Sequence, residues 1–235
     1  MKKIKNVLVF LFVIITITTS SAISQSQMFD VKESPTGEKN FRKVEKFNEL
    51  IDFKRIDFDR INEIIFYMTN EIRAKHRLQP LTYATELERS AWMHADDMVR
   101  GNFFSHINER DSKKKTPNDR AKMCNISNPM LAENLIEGFG LKYNANESVY
   151  LRGKGKFSKT QEGELIKPHT YISFCEVQME RWMNSKEHRK NILSKDALQF
   201  GCGAAIFENA EFNQMPTFYV VQNFQCYQPL KKIDP

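Results

Sequence analysis

Apolar side chains recur at offsets of three and four from Asp59 onward, at Ile61, Ile64, Ile65, Met68 and Ile72. That stripe predicts an amphipathic helix that ends before Pro80. A second helical pattern places Leu87, Ala91, Ala95 and Met98 on one face. Glu86, Glu88, Arg89, Asp96 and Asp97 surround it, and Gly101 stands where a C-terminal cap is expected. Tyr171, Phe174, Cys175, Gln178 and Trp182 carry a third helix into the stretch WMNSKEHRKNIL, Trp182 to Leu193. The period then changes. GCGAAIFE from Gly201 and TFYVVQNFQC from Thr217 are rich in aromatic and branched residues, with Gly, Asn and Pro between or beside them, and read as a β-hairpin. Helices first and strands last predict an α+β domain.

The ends of the chain follow other rules. Lys2, Lys3 and Lys5 precede an apolar run from Val7 to Ile17, which gives way to Ser20, Ser21, Ala22 and Ser24. Residues 1–24 read as a secretory signal peptide cleaved before Gln25, because the apolar run is too short to span a bilayer comfortably. No cysteine lies near the cleavage region, so no lipid-anchored N-terminus is expected. The expected location is secreted or periplasmic, with no integral membrane span after cleavage. Residues 25–57, with Pro35 and Gly37, read as a linker or N-terminal extension, residues 58–228 as the domain, and 229–235 as a tail.

Removing the leader removes three lysines and no acids, so the formal charge falls from +6 to +3. The basic balance is in part an export signal, and with no nucleic-acid-binding signature no nucleic-acid partner is expected. Cys124, Cys175, Cys202 and Cys226 form an even set without a metal-type CxxC pair. In an oxidising compartment they predict two disulfides. Folding the hairpin about residues 213–215 sets Cys202 opposite Cys226, which leaves Cys124 for Cys175.

The order of segments MTNEIRAKHRLQPL, a helix with Ala95 and Met98, FFSH, TPNDRA, LAENL, WMNSKEHRKNIL, GCGAA and YVVQNF resembles the CAP superfamily of cysteine-rich secretory proteins, antigen 5 and pathogenesis-related 1 proteins, in its bacterial-type, SCP-like branch. The likeness runs from about Ile61 to Phe224. It implies an α-β-α three-layer sandwich with a central antiparallel sheet and a large cleft. It also implies that His106 of FFSH, Glu133 of LAENL and His188 line that cleft, with Ser185 where the eukaryotic branch usually carries glutamate.

Those residue types permit two chemistries. His106 and His188 as neutral imidazoles can hold zinc or another divalent metal with water completing the shell, and Glu133 can serve as a third ligand or fix a ring tautomer. Ser185, His188 and Glu133 are also the types of a hydrolase triad, although nothing like G-x-S-x-G surrounds Ser185 and no H-E-x-x-H occurs. The sequence therefore points to a non-enzymatic module whose cleft binds a lipid, sterol or cell-envelope polymer, with a metal- or Ser-His-dependent hydrolase and an adhesive surface protein as alternatives. No organic cofactor is expected.

Plainer readings stand beside these. Glu133 can instead pair with Arg120; His94 reads as a satisfied core histidine, His76 and His169 as solvated. Trp182, Tyr219 and Phe224 read as core, Asn191 as a helix terminator, and one of Gln222 and Asn223 must face inward. Lys142 to Lys167 is an insertion with six basic and three acidic residues. It reads as a solvated segment or as a cleft-edge loop that meets an anionic surface.

Overall fold

The computed structural model describes residues 38–143 and 147–233. The expected signal peptide and the first part of the extension lie outside them. The helices are α1 (Glu45–Asn48), α2 (Phe58–Lys75), α3 (Thr85–Gly101), α4 (Pro117–Met123), α5 (Tyr171–Asn184) and α6 (Lys186–Ile192). The strands are β1 (Thr82–Tyr83), β2 (Leu131–Phe139), β3 (Tyr150–Gly153), β4 (Lys156–Ser158), β5 (Ala197–Asn209) and β6 (Met215–Cys226).

The main sheet has the order β1-β5-β6-β2, and β3 pairs with β4 in a separate ribbon. The three long strands are antiparallel, as expected, but β1 lies parallel to β5, so the sheet is mixed. The chain meets the sheet edge there only in passing: after two residues it turns into α3, whose entry is pinned by Ala84 N–H donating to Phe200 O at 2.8 Å.

Both faces of the sheet are covered. Ala91, Ala95 and Met98 of α3 bury one face against Leu135, Tyr219 and Val221. Ile61, Ile64 and Ile65 of α2 and Phe174 of α5 bury the other against Phe200, Phe218 and Phe224. The GCG motif explains how α3 comes so near. A Cβ at Gly201 would lie 2.2 Å from Glu88 N, and one at Gly203 would lie 2.1 Å from Trp92 N. Because side chains alternate along a strand, Cys202 between them points to the opposite face.

Strand β2 is an edge, and an open edge invites unwanted pairing. Here it is capped from the side. The outward carbonyls of Glu133, Leu135 and Glu137 accept in turn from Asn191 Nδ2 (3.3 Å), Trp182 Nε1 (3.3 Å) and the Arg181 guanidinium. Trp182 is fully buried, so its ring fills core while its indole N–H finds the partner that burial demands.

Several expectations are corrected. All four cysteines are free and buried. The β5–β6 register places Cys202 opposite Gln222 and Cys226 opposite Ala197, so the cysteines are offset by four residues, about 13 Å along the strand. Cys124 lies beside α3, its carbonyl accepting from Arg89, whereas the Cys175 thiol faces Ile61 O of α2 on the other side of the sheet. From residue 38 onward the N-terminal extension packs on the domain, with Phe41, Phe47 and Ile51 in the main core. The tail returns to the domain, where Leu230 packs on the cluster of Ala84, Leu87, Ala121 and Ile126, and Ile233 N–H donates to Asn125 O at 2.9 Å. Helix α3 is capped by left-handed Asn102, one residue past Gly101.

The insertion is packed rather than solvated. Phe157 is 1% exposed and joins Leu141 and Met215, with Phe139, Tyr143, Ile166 and Phe212 around them. This small core sits at the β5–β6 turn. Six residues of β2, about 20 Å, separate Phe139 there from Glu133, so the insertion does not edge the His106 site.

Candidate functional site

Glu133 is the centre of the site. Its side chain is 2% exposed, and each carboxylate oxygen has a partner. Arg120 Nη2 donates to Oε2 at 2.8 Å, and His106 Nδ1 lies 2.9 Å from Oε1. With its amide oriented to suit its neighbours, Asn223 also donates to Oε2, at 3.3 Å. The ion-pair reading of Glu133 is therefore realised, and the same carboxylate also meets His106.

Arg120 is placed by α4. Thr116 and Asp119 form a reciprocal capping box and Pro117 begins the helix, which is local chemistry that fixes its start. From there the buried guanidinium donates to Lys114 O (3.0 Å), Lys115 O (3.2 Å) and His106 O (3.1 Å) as well as to Glu133. One side chain thus ties the His106 loop to itself and to the sheet. His94 holds the same loop from α3: its Nε2 donates to Ser105 O at 2.8 Å, one residue before His106.

His94 is fully buried, and its Nδ1 has no hydrogen-bond partner among the described residues. Burial pushes this imidazole down to about 4; the Glu133 carboxylate opposes that shift and Arg120 adds to it. The expectation of a core histidine holds, with one nitrogen satisfied. His169, expected in solvent, is instead 6% exposed, with Nδ1 3.0 Å from Ser173 Oγ, and burial also pushes it down to about 4. His76 is exposed, as expected.

His106 is the open member of the site, with half its side chain in solvent. A carboxylate can only accept, so Nδ1 carries a proton, and in the neutral ring it is Nε2 that offers the lone pair. His188 approaches from α6. Burial, and next the charge of the neighbouring His106, hold the His188 imidazole below its ordinary value.

The position of α6 depends on buried amides. Asn134 Nδ2 donates to His188 O (3.1 Å) and to Gln222 Oε1 (3.0 Å), while Asn191 Nδ2 donates to Asn134 Oδ1 (2.8 Å) and Glu133 O (3.3 Å). Sequence patterning reads Asn191 as a terminator and misses this network. One signal was available: Gln222 and Asn223 are adjacent polar residues in a strand whose neighbouring positions are mostly apolar, and both are fully buried because β6 is covered on both faces.

Ser185 stands where the third helix breaks, as C-cap of α5 and N-cap of α6, in extended conformation. Its side chain makes no capping bond, and no hydrogen bond joins it to His188 among the described residues. Glu133 orients His106 rather than His188, so the Ser185–His188–Glu133 alignment lacks both of its contacts among the described residues. No group of three or more His, Cys, Asp or Glu side chains that could hold a metal occurs among the described residues. Glu133 is committed to Arg120 and His106, so a metal here would have two imidazole ligands and water.

The pattern of the cysteine-rich secretory protein family, CAP, matches residues 66–224. Among curated proteins, YlbC of Bacillus subtilis, which carries the name of a membrane protein, is 27% identical over 139 residues, 59% of this chain and 30% of its own length. YkwD of the same organism is 29% identical over 136 residues, 58% of this chain and 39% of its own. The match thus spans about a third of each relative. Among solved structures, an extracellular SCP-domain protein of Bacillus anthracis aligns with a TM-score of 0.48 at 21% identity, covering 72% of this chain and 41% of that one.

Proposed function

The chain belongs to the cysteine-rich secretory protein (CAP) family, and on that premise we propose that it works outside the cytoplasm as a ligand-binding module whose cleft holds a divalent metal at His106 and His188. A lipid, sterol or cell-envelope component is the class of ligand such a cleft would take. The supporting observation is the 2.9 Å contact of His106 Nδ1 with buried Glu133, which leaves Nε2 as an oriented lone-pair donor beside a second, readily neutral imidazole. The apolar run after Lys2, Lys3 and Lys5 supports export. Among the described residues no helix is long and apolar enough to cross a membrane.

Zinc titration by calorimetry tests the reading. Uptake is expected to weaken as the pH falls, because both rings must be neutral to coordinate. His106→Ala and His188→Ala should each abolish it, and Ser185→Glu should strengthen it by adding a carboxylate on the same helix junction. Uptake indifferent to both alanine variants, or no uptake, would overturn the metal assignment.

A further inference from the structure

The insertion has two unlike faces. Its register runs Tyr150 opposite Ser158 and Ser158 opposite Leu165, so these three side chains share one face across three adjacent segments, with Ser158 itself fully buried between the two larger ones. Phe157 and Ile166, one residue along from Ser158 and Leu165, point the other way and enter the small core, whereas Leu151, opposite Phe157 on β3, is 52% exposed. Tyr150 is 49% exposed and Leu165 46%, about 10 Å apart across two strand spacings. Lys156, two residues from Ser158 on β4, belongs to the same face, and Lys167, two residues after Leu165, is exposed beside it. Beside them is an open depression of about 490 Å³, whose lining includes Lys142, Lys159, Leu165 and Lys167.

This face is held in shape. Ile166 N–H donates to Phe157 O at 2.7 Å, Gly155 N–H to Asn213 O at 2.8 Å, and Arg152 Nη1 to Gln161 O at 2.6 Å. Glu147 pairs with Lys159, and Glu162 and Glu164 add negative charge, but residues 142–167 still carry a net charge of +3.

We propose that the outer face of the insertion docks on the surface of an anionic lipid bilayer. Lysines around an exposed tyrosine and leucine match what an interface demands: the ammonium groups meet anionic headgroups while the apolar pair enters the boundary below them. A soluble polyanion would be held by the lysines alone and gives no account of Tyr150 and Leu165. No residue of the His106 site takes part.

Vesicle sedimentation tests this. The described contacts lie within residues 38–233, so the chain used begins at Gln25, without the apolar run of the leader. It should sediment with mixed phosphatidylcholine and phosphatidylglycerol vesicles and not with phosphatidylcholine alone, and added salt should release it. The double variant Tyr150→Ser/Leu165→Ser should bind about tenfold more weakly. Lys156→Glu/Lys167→Glu should lose at least about tenfold. All four positions lie on the outer face, so circular dichroism should report unchanged folds, and zinc uptake at His106 and His188 should be unaffected by either pair. Failure of the wild type to bind mixed vesicles would overturn the proposal. So would undiminished binding by the serine pair together with equal binding of soluble polyglutamate, which would make the face a polyanion site.

Discussion

Arg120→Met isolates the interaction on which the site is built. The Glu133 side chain is 2% exposed and that of Arg120 0%, so removing the guanidinium leaves a carboxylate in the interior served by His106 and Asn223, with His94 Nε2 4.0 Å away. Breaking one member of a buried ion pair costs about 3–5 kcal/mol. Three loop carbonyls, of Lys114, Lys115 and His106, lose their donor as well. A stability of about 5–15 kcal/mol for a domain leaves most of that range folded and measurable. Urea unfolding of wild type, Arg120→Met, Glu133→Gln and the double variant closes a cycle. Each single change should cost about 3–5 kcal/mol, and the double variant well under their sum, because the second change removes a charge that the first had stranded. Arg120→Lys should recover only part of the loss, since an ammonium cannot reproduce the fork that reaches loop and carboxylate together. Strictly additive losses, or a cost below about 1 kcal/mol for Arg120→Met, would refute the claim that this pair organises the loop.

Acid should weaken the fold through His94 and His169, both held at about 4. Above about pH 6.5 neither state is protonated; between there and 4 the unfolded chain binds protons that the folded chain refuses, so stability falls by up to about 3 kcal/mol per group. Melting temperatures across that range check this, and His94→Gln should flatten the slope. All four cysteines should react with a thiol reagent after denaturation without reductant, and reductant should leave the melting temperature unchanged; recovery of a Cys202–Cys226 peptide would contradict the register described above. Phe157→Ala should lower stability by about 3–5 kcal/mol, read by denaturant midpoint, because the ring anchors the insertion; a neutral result would return the segment to solvent.

Much of the fold was legible in the chain. The stripes from Ile61, Leu87 and Tyr171 became α2, α3 and α5, and the two apolar runs after Gly201 and Thr217 became a hairpin, because helical and strand periods are local properties of the backbone. The order of short motifs pointed to the family and so to His106, Glu133 and His188, residues scattered across more than eighty positions that no local pattern would gather.

Tertiary structure decided the rest. The hairpin register depends on the turn at 210–214 and on a bulge between Ala197 and Gln199, and that offset separates Cys202 from Cys226. Glu133 serves His106 because the capped α4 delivers Arg120 and the His106 loop to the same side of β2, while α6, broken from α5 at Ser185, brings only Asn191 and His188. The charge of the insertion suggested a solvated loop, yet Phe157 is buried in the small core next to exposed Lys156, so the segment packs on one side while carrying its charge on the surface. A sequence states which side chains a segment carries; which of them meet is settled only when the backbone groups at strand edges and helix ends have found their partners.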